Sequence, residues 1–86
     1  MFGGEERTVT IECENQFAGV MIDRFGKDVF MVKRDENHFA ISPKVAVSPQ
    51  FIGWIIGLGE GVKVSAPEDV VKQIRQMLTK TSKLYK

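Results

Sequence analysis

Only one cysteine, one histidine, one tryptophan and one tyrosine occur among the 86 residues, with only three prolines. Each scarcity excludes something. A lone thiol, Cys13, cannot close an intramolecular disulfide, so a disulfide scaffold of the secreted kind is ruled out. One Cys and one His, without CxxC or HxxxH spacing, cannot close a zinc site, and no metal or other cofactor is expected. Neither sign of charge dominates: 12 Lys and Arg face 11 Asp and Glu, for a net charge of +1. A dedicated nucleic-acid binder usually carries a basic surplus. Long apolar runs are missing too. The longest, Phe51 to Leu58, is far short of the ~20 residues that span a bilayer as a helix. The acidic start, Met1 to Glu6, lacks the apolar core of a signal peptide. The chain therefore reads as cytoplasmic, with Cys13 reduced.

What is present is ordinary for a soluble globular domain: 43% hydrophobic and 27% charged residues. A chain this short buries roughly 60% of its unfolded surface. That is enough to fold without staples but leaves little room for a deep active-site cavity. Residues 1–7 read as a lead-in and 8–86 as a single domain.

Thr8 to Cys13 alternates, with Val9, Ile11 and Cys13 on one side and Thr8, Thr10 and Glu12 on the other, the pattern of a half-buried strand. Asn15 is a plausible N-cap. It precedes Phe17, Val20, Met21 and Phe25, which share one helix face, with Asp23, Arg24 and Lys27 opposite. Gly26 stands where a left-handed C-cap residue is wanted. Asp28 to Arg34 predicts a second strand whose consecutive apolar residues suggest cover on both faces. Asp35-Glu36-Asn37 is a polar turn. His38 to Val47 alternates as a third strand, and Pro43 demands an edge or a bulge there. Ser48-Pro49 is a helix start for the apolar stretch Phe51 to Leu58, and Gly59 and Gly61 close it. Val62-Lys63-Val64 predicts a last short strand. Ser65-Ala66-Pro67-Glu68 reads as a capping box opening a C-terminal helix. The predicted order is strand, helix, strand, strand, helix, strand, helix. This points to an α+β domain, a ferredoxin-like split βαβ (βαββαβ) with an additional C-terminal helix. That last helix either covers the open sheet face or reaches a partner.

Chemical motifs are few. Asp28, Asp35 and His38 cluster at one hairpin and read as a solvated turn. No nucleophile motif and no paired carboxylates stand out, so no catalytic residue is assigned and no enzyme is expected. Cys13 reads as a small core residue. Gly57-Leu58-Gly59-Glu60-Gly61 lacks dinucleotide-loop polarity, because it follows a helix and leads into a strand. In residues 67–86, Lys72, Arg75, Lys80, Lys83 and Lys86 face Glu68 and Asp69, a surplus of three positive charges. The default explanation is a solvated helix face. Lys72, Arg75 and Lys83 are the candidates for nucleic-acid contact. The helix around Trp54 is the most informative feature, being apolar nearly all round. Phe51, Ile55 and Leu58 can fill a core while Trp54 and Ile56 point elsewhere. Either the last helix folds over them, or they meet another domain, subunit or ligand. Phe51, Trp54 and Ile56 are the interface candidates.

Four strings now stand in order: Ile22-Asp23-Arg24-Phe25-Gly26, Val47-Ser48-Pro49-Gln50-Phe51-Ile52-Gly53-Trp54, Val64-Ser65-Ala66-Pro67-Glu68-Asp69-Val70 and Leu84-Tyr85. Together they resemble the C-terminal extension, or WCX, domain of bacterial WYL-domain transcriptional regulators of DeoR-like type, over about residues 8–86. The resemblance implies a modular regulator. An N-terminal helix-turn-helix binds DNA, a central WYL domain senses an effector, and the WCX domain contributes to dimerisation and to control of the DNA-binding state. Some such regulators answer to nucleic-acid effectors, including single-stranded DNA. No helix-turn-helix or Trp-Tyr-Leu motif occurs here, so the chain looks like a C-terminal fragment of such a regulator. Its expected partners are the WYL and helix-turn-helix domains of the same polypeptide, a second copy in a homodimer, and DNA through the missing domain. The effector is unassigned. The alternative reading is a small-molecule-binding sensor module of ferredoxin-like fold.

Overall fold

A computed structural model describes residues 6–85. Of the expected lead-in, residues 1–5 lie outside the described residues. Glu6 and Arg7 already belong to the first strand. The described chain is α+β, with two antiparallel sheets and three α-helices. Its elements are β1 (Glu6–Thr8), β2 (Thr10–Glu14), a 3-10 turn (Asn15–Phe17), α1 (Ala18–Phe25), β3 (Met31–Lys33), β4 (His38–Ile41), β5 (Lys44–Ala46), α2 (Pro49–Gly57), β6 (Val62–Ala66) and α3 (Glu68–Lys83).

The larger sheet has the order β3-β4-β2-β6, and β1 pairs with β5 in a separate two-stranded sheet. Two expected strands are therefore split. The alternating run from Thr8 breaks at Val9, and the run from His38 breaks at Ser42-Pro43. The two breaks meet, since the Val9 N–H donates to the Pro43 carbonyl at 3.0 Å. Pro43 has no N–H to offer a ladder, so pairing stops there and both chains leave the large sheet together to form the small one. The expected strand from Asp28 is likewise shorter, because Val29 N–H turns back to the Gly26 carbonyl (3.2 Å). Nor is that strand covered on both faces: β3 is an edge, and Val32 is 44% exposed.

Register sorts the side chains. Ile11 pairs with Ile41 and Val64, and Cys13 with Phe39 and Val62, so these residues share one face. All six are buried in a common core with Met21, Phe51, Ile52, Ile55 and Val70. Each large aliphatic sealed there is worth about 1.5–3 kcal/mol relative to exposure. Glu12, Glu14, His38 and Lys63 take the opposite face, which is open. The C-terminal helix does not cover that open face. Its buried Val70 and half-buried Val71, Ile74 and Met77 pack onto the same core as α2, because its one apolar stripe matches Val62 and Val64 of β6.

Two caps follow the sequence. Ser48 accepts the Phe51 N–H at 3.2 Å with Pro49 next in line, and Gly26 has a φ of 97°. Two do not. Asn15 opens the 3-10 turn, where its side-chain amide donates to the Glu36 carbonyl at 2.8 Å, and the residue that caps α1 is Phe17. No capping box starts α3. Ser65 stays within β6, whose pairing runs on to Ala66, so Pro67 stands at the cap position.

Candidate functional site

Helix α2 has more apolar residues than one face can hold, and its neighbours decide their fates. Phe51 (3% exposed), Ile52 and Ile55 enter the core, while Leu58 is only half-buried. Of the interface candidates, Phe51 thus turns inward and keeps little surface of its own. Trp54 is half-buried. The helix over it is α1, not the C-terminal helix. The Phe25 ring meets the indole edge-on with centroids 5.9 Å apart, and Phe51 lies tilted at 6.4 Å. The Arg24 guanidinium carbon sits 5.3 Å from the indole centroid and 5.5 Å from that of Phe25, within cation–π range of both rings. Ile56, about two positions further round α2, remains 40% exposed.

Ile56 borders an apolar groove of about 360 Å³ between α2 and α3, floored by Val62 and Val64 of β6. Ile74 and Leu78 form the α3 wall, Leu78 being 46% exposed. Glu60 and Lys63 stand in the same lining with opposite charges. Contiguous apolar surface rimmed by polar groups is the usual mark of a contact site. On the other flank of α2 lies a second cavity, of about 370 Å³, lined by Arg24, Lys44, Ser48 and Trp54 among others. Helical spacing places Arg24 on the polar face of α1. Its meeting with Trp54 depends on how α1 packs against α2.

The open sheet face is polar. A shallow cavity of about 490 Å³ there is lined by Glu12, Glu14, Asp35, Glu60, Arg34, Lys63 and His38. The Asp35 carboxylate accepts the Asn37 N–H at 2.7 Å and lies 2.8 Å from His38 Nδ1. The His38 contact and then the Asn37 N–H hold its carboxyl below the usual carboxylate range. This is turn chemistry, as the sequence suggests. Cys13 is buried in the core, and burial, with Glu12 adding to it, pushes its thiol up to about 11. A protonated thiol is a poor nucleophile and a poor metal ligand.

On α3, Lys72, Arg75 and Lys83 are all exposed. Arg75, Thr79, Lys80 and Lys83 line one surface groove along the outer side of the helix. The opposite end of α3 is fastened elsewhere. Arg7 of β1 donates from both terminal guanidinium nitrogens to the two carboxylate oxygens of Asp69, at 2.7 and 3.1 Å, a bidentate fork between residues 62 positions apart that no local spacing announces. Among the described residues, no helix is long and apolar enough to cross a membrane.

Compared with known proteins, the chain finds no match among curated proteins or solved structures. A family model described as the WCX domain matches residues 5–82. That span takes in every element described above except the last residue of α3, and the chain belongs to the WCX domain family.

Proposed function

We propose that this domain is the regulatory and dimerisation part of a bacterial, DeoR-like transcriptional regulator. In this reading it couples effector sensing to DNA binding by a helix-turn-helix that is not in this chain. Family membership supports the setting, since WCX domains go with WYL transcriptional regulators. The partners would be WYL and helix-turn-helix domains of the same polypeptide, and the place of action the cytoplasm. The antiparallel order β3-β4-β2-β6, with α1 after β2 and α2 before β6, supports reading residues 10–66 as a ferredoxin-like split βαβ.

The single observation that carries the mechanism is the groove bordered by Ile56 and Leu78. Its occupant in this proposal is a second copy of the chain. Glu60 and Lys63 in one lining make the groove self-complementary, because a two-fold axis sets the acid of each copy against the base of the other. Two chains held through such a seam have discrete arrangements, and an effector that prefers one would bias DNA binding.

The test uses the intact regulator that carries this domain. Ile56→Asp and Leu78→Asp should shift sedimentation from dimer towards monomer, while the 86-residue domain keeps its melting temperature within about 3 °C, as expected at partly exposed positions. Trp54→Asp serves as the contrast. It strips a half-buried ring from Phe25 and Arg24, so it should unfold the domain before it disturbs assembly. Unchanged sedimentation of both groove variants would refute the dimer seam. A direct nucleic-acid role for Lys72, Arg75 and Lys83 is the second reading, supported by their shared exposure on α3. It requires oligonucleotide binding that weakens steeply with salt.

A further inference from the structure

We propose that the cavity between α1, β5 and the start of α2 is a binding site for the anionic group of a small ligand, a phosphate or carboxylate, held by Arg24 and Lys44. The site lies across α2 from the dimer groove and stands independently of it. Its volume, about 370 Å³, falls within the range of small-molecule pockets.

Three observations carry the assignment. First, the lining contains two cations and no acid. Neither Arg24 nor Lys44 forms an ion pair with any described residue. Two like charges converge on one cavity without a counter-charge. Second, Arg24 is already held. Phe25 and Trp54 lie against the guanidinium, with ring centroids 5.5 and 5.3 Å from its central carbon. A cation–π contact of this kind involves no hydrogen bond, so the guanidinium N–H donors stay available as the fork that matches a carboxylate or phosphate edge. A side chain fixed before the ligand arrives has less rotamer freedom to lose on binding. Third, the polar end of the pocket has a further donor. Ser48 Oγ accepts the Phe51 N–H at 3.2 Å, which leaves its own O–H proton to donate into the same space. Val45 and Phe51 supply apolar wall beside these groups, so the fitting ligand is an anion with a compact apolar or aromatic body.

This chemistry also separates the pocket from the basic row on α3. Lys72, Arg75 and Lys83 are strung along the outer side of one helix, with no aromatic ring in the groove that Arg75 and Lys83 line, and would track a polymer backbone. Arg24 and Lys44 converge on a concavity closed on one side by an aromatic wall.

The molecule contains its own reporter. Trp54 is the single tryptophan and touches Arg24, so a ligand on Arg24 alters its emission. The experiment titrates the full chain with inorganic phosphate, adenosine monophosphate and benzoate, following Trp54 fluorescence excited at its red edge and repeating the titration by calorimetry. At least one probe should bind saturably. Lys44→Gln, which leaves the Arg24–Trp54 contact intact, should weaken that binding roughly tenfold or more, the loss expected for a charge-assisted hydrogen bond. Arg24→Gln should weaken it at least as much by calorimetry. Lys72→Gln and Arg75→Gln should leave it unchanged. Phosphate binding as well as adenosine monophosphate would identify the anion alone as the ligand feature, and preference for adenosine monophosphate or benzoate would add the body. The proposal is overturned if no probe saturates, or if Lys44→Gln and Arg24→Gln bind like the parent. It is equally overturned if only an oligothymidylate binds and its affinity falls with the α3 substitutions instead.

Discussion

Replacing Gly61 by alanine tests the packing that joins the end of α2 to the rest of the domain. Gly61 lies in the link between α2 and β6, and its carbonyl accepts the Glu14 N–H at 2.8 Å. An added Cβ would sit 2.5 Å from Phe17 Cε2 and 2.8 Å from Glu14 Oε1, where ordinary contact begins near 3.4 Å. The Glu14 carboxylate is the far end of a flexible chain and can swing aside. The Phe17 ring is half-buried against the core and has less room to yield. Overpacking of this kind costs about 1–3 kcal/mol. Restricting the unfolded chain by Gly→Ala returns about 0.4–1 kcal/mol. The net expectation is a loss of about 1–2 kcal/mol, which in a domain of this size lowers Tm by roughly 5–15 °C. Circular dichroism melts and urea titrations measure it. Gly57→Ala is the control: nothing lies within 4 Å of its Cβ position, near the end of α2, so alanine should be neutral or stabilising by up to about 1 kcal/mol. A Gly61→Ala protein that melts at or above the parent temperature refutes the steric account. So does a Phe17→Ala background in which Gly61→Ala costs just as much, since removing the ring should remove most of the penalty.

Two predictions concern titration. The Arg7 fork holds the Asp69 carboxyl below the usual carboxylate range. A carboxyl depressed in the folded state adds stability above its unfolded value, near 3.9, and loses it as the pH falls through the folded value. Asp69→Asn should therefore narrow the gap between urea midpoints at pH 6 and pH 2.5, and high salt should narrow it too, since the pair is exposed. An unchanged gap would show that the pair adds no acid sensitivity. Cys13 runs the other way. Burial raises its thiol from near 9.0 to about 11, so its share of stability is complete below pH 9 and declines as the pH rises towards 11. Iodoacetamide at pH 8.5 should label Cys13 only in step with unfolding by urea. Rapid labelling of the native domain would contradict its place in the core.

Features whose cause lies within a few residues were legible in the chain. Ser48 before Pro49 starts α2 because a hydroxyl can reach an N–H three positions on, whatever surrounds it. Gly26 ends α1 at positive φ because it lacks a Cβ. The alternation of Val9, Ile11 and Cys13 marks one buried face, and the order of motifs was enough to indicate the family. Features that depend on a distant partner became visible only in the folded molecule. Pro43 declares a break, but only the bond from Val9 N–H turns it into a second sheet. Asn15 has a capping side chain, yet a carbonyl at Glu36, 21 positions away, claims it. The apolar residues of α2 exceed one face, and which become core is settled by the sides from which α1 and α3 approach. Those approaches turned Phe51 inward, put Arg24 over Trp54 and left Ile56 and Leu78 beside a groove. Local bonds are written in local spacing. A packing direction is a property of whole faces, and it appears only when every face has found the one that buries it.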